Sequence, residues 1–253
     1  ESPAVLAQTA GIDSRQIIRL NANENPYGPS PKVKESLGKC ETYHIYPDAY
    51  QHTARKALAN YTGLPAEDIL VGSGSDELID LLLRATIDPG DKVINCPPTF
   101  GMYSFSTYVN GGTLLSVPRN HEFEVNLDGI KKVIDDKTKI VFLTSPNNPT
   151  GNLVSRDTVL DLLDENILVV IDETYFEFCQ QTLAPLVESH PNLVVLRTMS
   201  KWAGLAGLRI GYGIMAPDML SMLMDIKQPY NMNVAAEVAL ISSLSDLPYL
   251  KSN

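Results

Sequence analysis

The sequence predicts an α/β fold built on a mostly parallel sheet, and three observations carry that expectation. Short apolar, β-branched runs recur along the chain, segments with helical spacing of apolar residues separate them, and the joints between are rich in Gly, Pro and Asn. Seven runs read as strands: Ile69–Val71, Lys92–Cys96, Thr113–Val117, Ile140–Leu143, Leu168–Ile171, Leu193–Leu196 and Ile210–Ile214. Helices are expected between them. Asp76–Ala85 carries Leu78, Ile79, Leu82 and Leu83 at the spacing of one buried face, and Leu127–Ile134 and Thr158–Leu163 read similarly. Met219–Ile226 does too, with Pro229 as its stop. The first 45 or so residues, rich in Asn and Pro, read as an arm crossing a surface rather than as a sheet element.

Composition narrows the function. The 253 residues suffice for one large domain or one and a half, and 44% hydrophobic with 20% charged content is that of a soluble globular protein. A net charge of −10 repels nucleic acid and anionic lipid, and no apolar run reaches membrane-spanning length, so neither partner is expected. Cys40, Cys96 and Cys179 are odd in number and widely separated, which predicts a reducing compartment rather than a disulfide framework. His44, His52, His121 and His190 lack metal-ligand spacing and read as surface residues, so no metal is expected.

Chemistry concentrates where strands end. Ile167–Ile171 runs into Asp172, which puts a carboxylate at the sheet edge where α/β ligand sites gather. Taken alone, Asp172 reads equally as a helix cap; paired with a protonated pyridine nitrogen, it would stay ionised and keep that ring an electron sink. Tyr175, three residues on, offers a phenol to a ring oxygen. The strand ending at Leu196 continues into Thr198, Ser200 and Lys201. A lone lysine after a strand is usually a solvated charge, but lysine is also the residue that condenses with carbonyl cofactors. The hydroxyls of Thr198 and Ser200, with Arg209 further on, make a donor set for a phosphate dianion.

Three weaker motifs point the same way. Val71-Gly72-Ser73-Gly74-Ser75-Asp76 is a strand-to-helix turn whose first N–H groups attract an anion, and it is neither a Walker A loop nor a dinucleotide fingerprint. Asp76 would repel phosphate if it pointed inward, so contact through backbone is expected there. Ser145–Gly151 is a rigid Pro-rich loop that could fix Asn148 against a ring oxygen, or hold only an Asx turn. Pro97–Tyr103 could lay Tyr103 as a plate over a planar ring, although an isolated aromatic there also suits a core.

In this order the motifs resemble the fold-type I, aspartate-aminotransferase superfamily of pyridoxal 5'-phosphate enzymes. Leu20–Gly28, Tyr46-Pro47-Asp48 and Cys96–Tyr103 make the chain similar to the histidinol-phosphate aminotransferases in particular, the plant form above all, over nearly its whole length. The resemblance implies a large domain at 46–228 with the seven-stranded sheet between helices. It implies an arm and part of a small domain at 1–45, and the start of a C-terminal small domain at 229–253 whose remainder, with its substrate-binding arginine, lies beyond this chain. It implies Lys201 as the lysine bonded to the cofactor and as general base, Asp172 as partner of the ring nitrogen, and Tyr175 and Asn148 on the ring oxygen. Tyr103 would stack, while Ser75, Asp76, Thr198, Ser200 and Arg209 would hold phosphate. Asn23 and Tyr46, the latter from the partner subunit of a homodimer, would meet substrate.

The implied reaction moves an amino group between histidinol phosphate and 2-oxoglutarate, giving imidazole-acetol phosphate and glutamate, in histidine biosynthesis. Its place is the plastid stroma for a plant source and otherwise the cytoplasm. Two other readings stand beside it: a pyridoxal-phosphate decarboxylase or lyase of a small phosphorylated amino acid, and a fragment that folds without turning over.

Overall fold

The computed structural model describes residues 3–252. Its strands are β1 (Ile69–Ser73), β2 (Lys92–Asn95), β3 (Thr113–Ser116), β4 (Thr138–Thr144), β5 (Leu168–Asp172), β6 (Leu193–Thr198) and β7 (Ile210–Met215). Its helices are α1 (Pro3–Ala10), α2 (Pro31–Gly38), α3 (His52–Thr62), α4 (Ser75–Thr86), α5 (Met102–Val109), α6 (Leu127–Val133), α7 (Arg156–Leu163), α8 (Phe176–Cys179), α9 (Pro217–Ile226), α10 (Val234–Leu244) and α11 (Leu247–Lys251). Each expected strand forms within about two residues of its expected ends, and the four expected helices form as α4, α6, α7 and α9.

The strands make one sheet in the order β1-β7-β6-β5-β4-β2-β3, in which β7 alone runs against its neighbours. Sheet residues alternate between two buried layers, as a sheet covered on both faces requires. Leu70, Ile140, Phe142, Val170 and Leu196 face α4, α5 and α9, meeting Leu78, Ile79, Leu82, Tyr103 and Leu223. Ile69, Val71, Val141, Ile171 and Val195 face the other way, toward Leu58 of α3, Ile130 of α6, Leu162 of α7 and Leu240 of α10. The near-continuous apolar runs of β4, β5 and β6 are the sequence signature of this double burial.

Among the described residues the N-terminal region contributes no strand to the sheet; it contains α1 and α2. The second is set by Ser30, whose hydroxyl accepts from Lys32 N at 3.2 Å, and by Pro31 at the first helical position. Only Val33 of its residues is buried, so no apolar period marked it in the sequence. It is tied to the C-terminal end of the chain by a Ser30–Asp246 hydrogen bond and by Lys32 Nζ, 3.4 Å from Asp246 Oδ1. Ala236, Ala239 and Leu240 of α10 are buried in the same apolar cluster as β5 and β6, with α10 lying against α2 and α3. Among the described residues no helix is long and apolar enough to cross a membrane.

Candidate active site

Because β1, β2, β4, β5 and β6 are parallel, their carboxyl ends gather at one edge of the sheet, and the antiparallel β7 begins there. That single exception carries Arg209 to the same edge: Ser73 pairs with Ile210, and Thr198 pairs with Gly211. A cavity of about 430 Å³ opens over these ends. It is lined by Ser75 and Asp76 from α4, Phe100, Thr144 and Asn148, Asp172 and Tyr175, Thr198, Ser200 and Lys201, and Arg209, with Asn21–Glu24 of the arm across the top. Residues scattered over the sequence thus converge as open α/β sheets dictate. An adjoining cavity of about 850 Å³ shares Asn23, Glu24, Tyr175 and Lys201 and extends over Tyr61, Arg197 and Trp202.

Asp172, the last residue of β5, is 3% exposed. Oδ2 accepts from Tyr103 Oη at 2.7 Å and Oδ1 from Thr174 N at 3.0 Å, and among the described residues it has no ion-pair partner. Burial pushes its carboxyl above the ordinary range, with the hydrogen bonds from Tyr103 and Thr174 pulling the other way. A buried carboxylate of this kind fits a cationic group presented from the cavity, such as a protonated ring nitrogen.

Lys201 follows β6 and is half-buried, with Nζ donating to Ala22 O at 2.8 Å. Burial depresses its amine below 10.5; Glu24 opposes that shift, Arg209 adds to it and Asp76 opposes it. A lowered ammonium pKa increases the neutral, nucleophilic fraction near pH 7. Around it, Thr198 Oγ1 donates to Ile210 O at the start of β7 and lies 2.9 Å from Ser200 Oγ.

The third corner is the start of α4. Its cap is Gly74, at φ +81°, with no side-chain hydrogen bond, unlike α6, α7 and α10, which are capped by Asn126, Ser155 and Asn233. Its first N–H groups are therefore free for an anion. A Cβ at Gly74 would stand 2.3 Å from Arg209 Nη2, and one at Gly211 2.2 Å from Ser75 N. Both glycines are the condition for the helix end, β7 and the guanidinium to meet. Arg209, itself at φ +54°, donates to Asp76 Oδ2 at 2.8 Å. Asp76 lines the cavity with its carboxylate engaged by this guanidinium.

The remaining expected residues divide. Asn148 lines the cavity, whereas its neighbour Asn147 is buried and braces the loop through Pro98 O and Thr150 Oγ1. Tyr175 Oη accepts from Asn23 Nδ2 at 2.7 Å, which brings Asn23 into the site. Tyr46 lies elsewhere, 77% exposed and stacked on Tyr230 with ring centroids 4.4 Å apart. Tyr103 does not stack over the cavity: it is fully buried beneath it, against Phe142. Helix α5 begins at Met102, which turns residue 103 inward and leaves Phe100, in the loop, as the ring of this motif that lines the cavity. The motif was legible, but the helix start that decides between its two rings was not. Ala22 O and Thr174 N, backbone atoms, carried no signal in sequence. Among the described residues no group of three or more His, Cys, Asp or Glu could hold a metal ion.

One cavity thus brings together an amine of lowered pKa, a buried carboxylate, and the start of α4 beside a guanidinium. Residues 15–252 match the model of the class I and II aminotransferases, and the chain belongs to that family. Within it, the chain is similar to histidinol-phosphate aminotransferases. It is 50% identical to that of Dehalococcoides mccartyi over 93% of its length and 49% identical to the chloroplastic enzyme 1 of Arabidopsis thaliana over 98%. It spans 66% of the first relative and 60% of the second. The histidinol-phosphate aminotransferase of Sinorhizobium meliloti, solved in complex with pyridoxal-5'-phosphate, superposes with a TM-score of 0.91 at 27% identity, covering all of this chain and 70% of that one.

Proposed function

We propose that this chain is the cofactor-binding part of a pyridoxal 5'-phosphate aminotransferase acting between histidinol phosphate and 2-oxoglutarate, a step of histidine biosynthesis. The observation that carries the reading is the convergence of Lys201, Asp172 and Arg209, from three separate strand ends, on one cavity. The relatives near 50% identity, named for amino-group transfer, support it over decarboxylation or lysis.

When bound, pyridoxal phosphate supplies an aldehyde that takes up the amino group and a protonated pyridine ring that withdraws electrons. Asp172 would hold the proton on the ring nitrogen, and such an ionic contact would offset the cost of burying the carboxylate. Asn148 and Tyr175, whose hydroxyl Asn23 fixes, would hold the ring oxygen, and Phe100 would contribute an apolar wall. The first N–H groups of α4, at Ser75 and Asp76, join Thr198, Ser200 and Arg209 to bind the phosphate. Lys201 Nζ, held by Ala22 O until then, takes the proton from the α carbon of the amino donor. The adjoining cavity, open at Lys201, gives the donor its approach.

The working unit is a homodimer in which Tyr46 of one protomer reaches its partner's site. Residues 46–228 form the large domain, with the arm at 1–45 and the beginning of the small domain at 229–253. For a plant source the compartment is the plastid stroma, and otherwise the cytoplasm.

The test is product identity. The full-length protein with glutamate and imidazole-acetol phosphate is expected to give 2-oxoglutarate and histidinol phosphate in equal amounts. Carbon dioxide without a keto acid would replace this reading by the decarboxylase.

A further inference from the structure

We propose that Tyr103 is a positioning residue for the reaction: its buried hydroxyl aims the Asp172 carboxylate and keeps it ionised, so that the proton stays on the ring nitrogen. The inference rests on the cofactor reading above, and its test separates the two.

The geometry assigns the hydrogens. An ionised carboxylate only accepts, so the Tyr103 hydrogen lies on Asp172 Oδ2, at 2.7 Å. Thr144 Oγ1, 2.8 Å from Tyr103 Oη, is then left to donate to that oxygen. Thr99 Oγ1 stands 3.1 Å from Thr144 Oγ1 and donates to Asn147 Oδ1 at 3.0 Å. A chain of donors thus runs from Thr144 through Tyr103 to the carboxylate, while Thr99 donates away from it, to Asn147. The Tyr103 ring cannot swing away: it stacks on Phe142 with centroids 4.8 Å apart and planes 5° from parallel, and Phe100 meets its other side edge-on.

Each carboxylate oxygen therefore has one fixed donor, Tyr103 Oη on Oδ2 and Thr174 N on Oδ1, and the plane of the group is set before any ligand arrives. The hydroxyl also matters electrically. Burial favours the neutral acid, the charge of Asp76 adds to that, and the hydrogen bonds from Tyr103 and Thr174 oppose it. Tyr103 itself holds its proton, pushed well above the tyrosine range by burial and by Asp172, with Arg119 nearby acting in the other direction. It stays a donor at every working pH. Without it, Asp172 becomes the stronger base and draws the shared proton off the ring nitrogen.

The experiment compares wild type with Tyr103→Phe, each loaded with pyridoxal phosphate carrying ¹⁵N in the ring. The variant's nitrogen signal is expected to move toward that of neutral pyridine. Affinity for pyridoxal phosphate should fall roughly 10-fold, the worth of one hydrogen bond to a charged group, while the unfolding midpoint without cofactor stays close to wild type. A merely structural tyrosine would lower the midpoint and leave the ¹⁵N signal where it was, and that result overturns the proposal. Should Tyr103→Phe fail to fold, fluorotyrosine at position 103 keeps the shape and acidifies the phenol. It is expected to move the signal the other way, toward full protonation, and an unmoved signal there counts against the proposal as well. If borohydride fails to fix pyridoxyl at Lys201 in wild type, the cofactor reading itself falls; with Lys201 labelled and the ¹⁵N signal indifferent to position 103, only the role of Tyr103 does.

Discussion

At the scale of residues, burial does the chemistry. Lys201 and Asp172 are ordinary ionisable groups moved from their usual values by loss of water, the amine downward and the carboxyl upward, and each shift favours the neutral form. Competitive labelling of Lys201 with an amine reagent is therefore expected to give a midpoint below 10.5, and a midpoint at or above that value contradicts the account. In the full-length protein Lys201→Ala removes the proposed base, and glutamate-dependent turnover should drop at least about 100-fold. Glu177 shows the same physics outside the proposed chemistry. Its carboxyl is enclosed beside Tyr61, and burial raises it to about 7 from 4.5. The folded state then keeps a proton that the unfolded chain gives up, so this group's contribution is fully present below pH 4.5 and is lost as pH rises to 7. Removing the titration by Glu177→Gln should stabilise the protein relative to wild type by up to roughly 3 kcal/mol above pH 7, and by much less at pH 4.5, in urea unfolding.

At the scale of elements, the site depends on how α4, β6 and β7 meet. Gly211, the second residue of β7, lies against the backbone of Gly74 and Ser75, and a methyl group there overlaps both. Gly211→Ala should cost roughly 1–3 kcal/mol in urea unfolding, as overpacking does, and weaken phosphate binding with it. Most of this was legible in the sequence. Strands buried on both faces announce themselves by unbroken apolar runs, and a hydroxyl, carboxylate or lysine ending such a run falls at the ligand edge by topology. Two matters were not legible. Helix α2 is short and buries one side chain, so it leaves no period to read. The direction of Tyr103 depends on where α5 begins, and Gly101 and Met102 carry no capping signal to mark it.

At the scale of the molecule, the core and the site are one construction. Behind the cavity Glu173 and Arg197, each under 5% exposed, form a buried ion pair at 2.9 Å, with Thr182 completing the network. Arg197→Met would leave Glu173 in the core without its counter-charge and is expected to cost about 3–5 kcal/mol. Equilibrium denaturation checks it. On the surface, Tyr46 and Tyr230 present stacked rings to solvent, and sedimentation of the full-length protein is expected to report two protomers, with Tyr46→Ala depressing turnover.

The central claim is that one amine, on the strand end beside a buried carboxylate, bonds to the cofactor. Reduction with borohydride in the presence of pyridoxal phosphate, followed by digestion and peptide mapping, addresses it directly. The account predicts a single pyridoxyl label on the peptide containing Lys201. A label on any other lysine, or none, would contradict it.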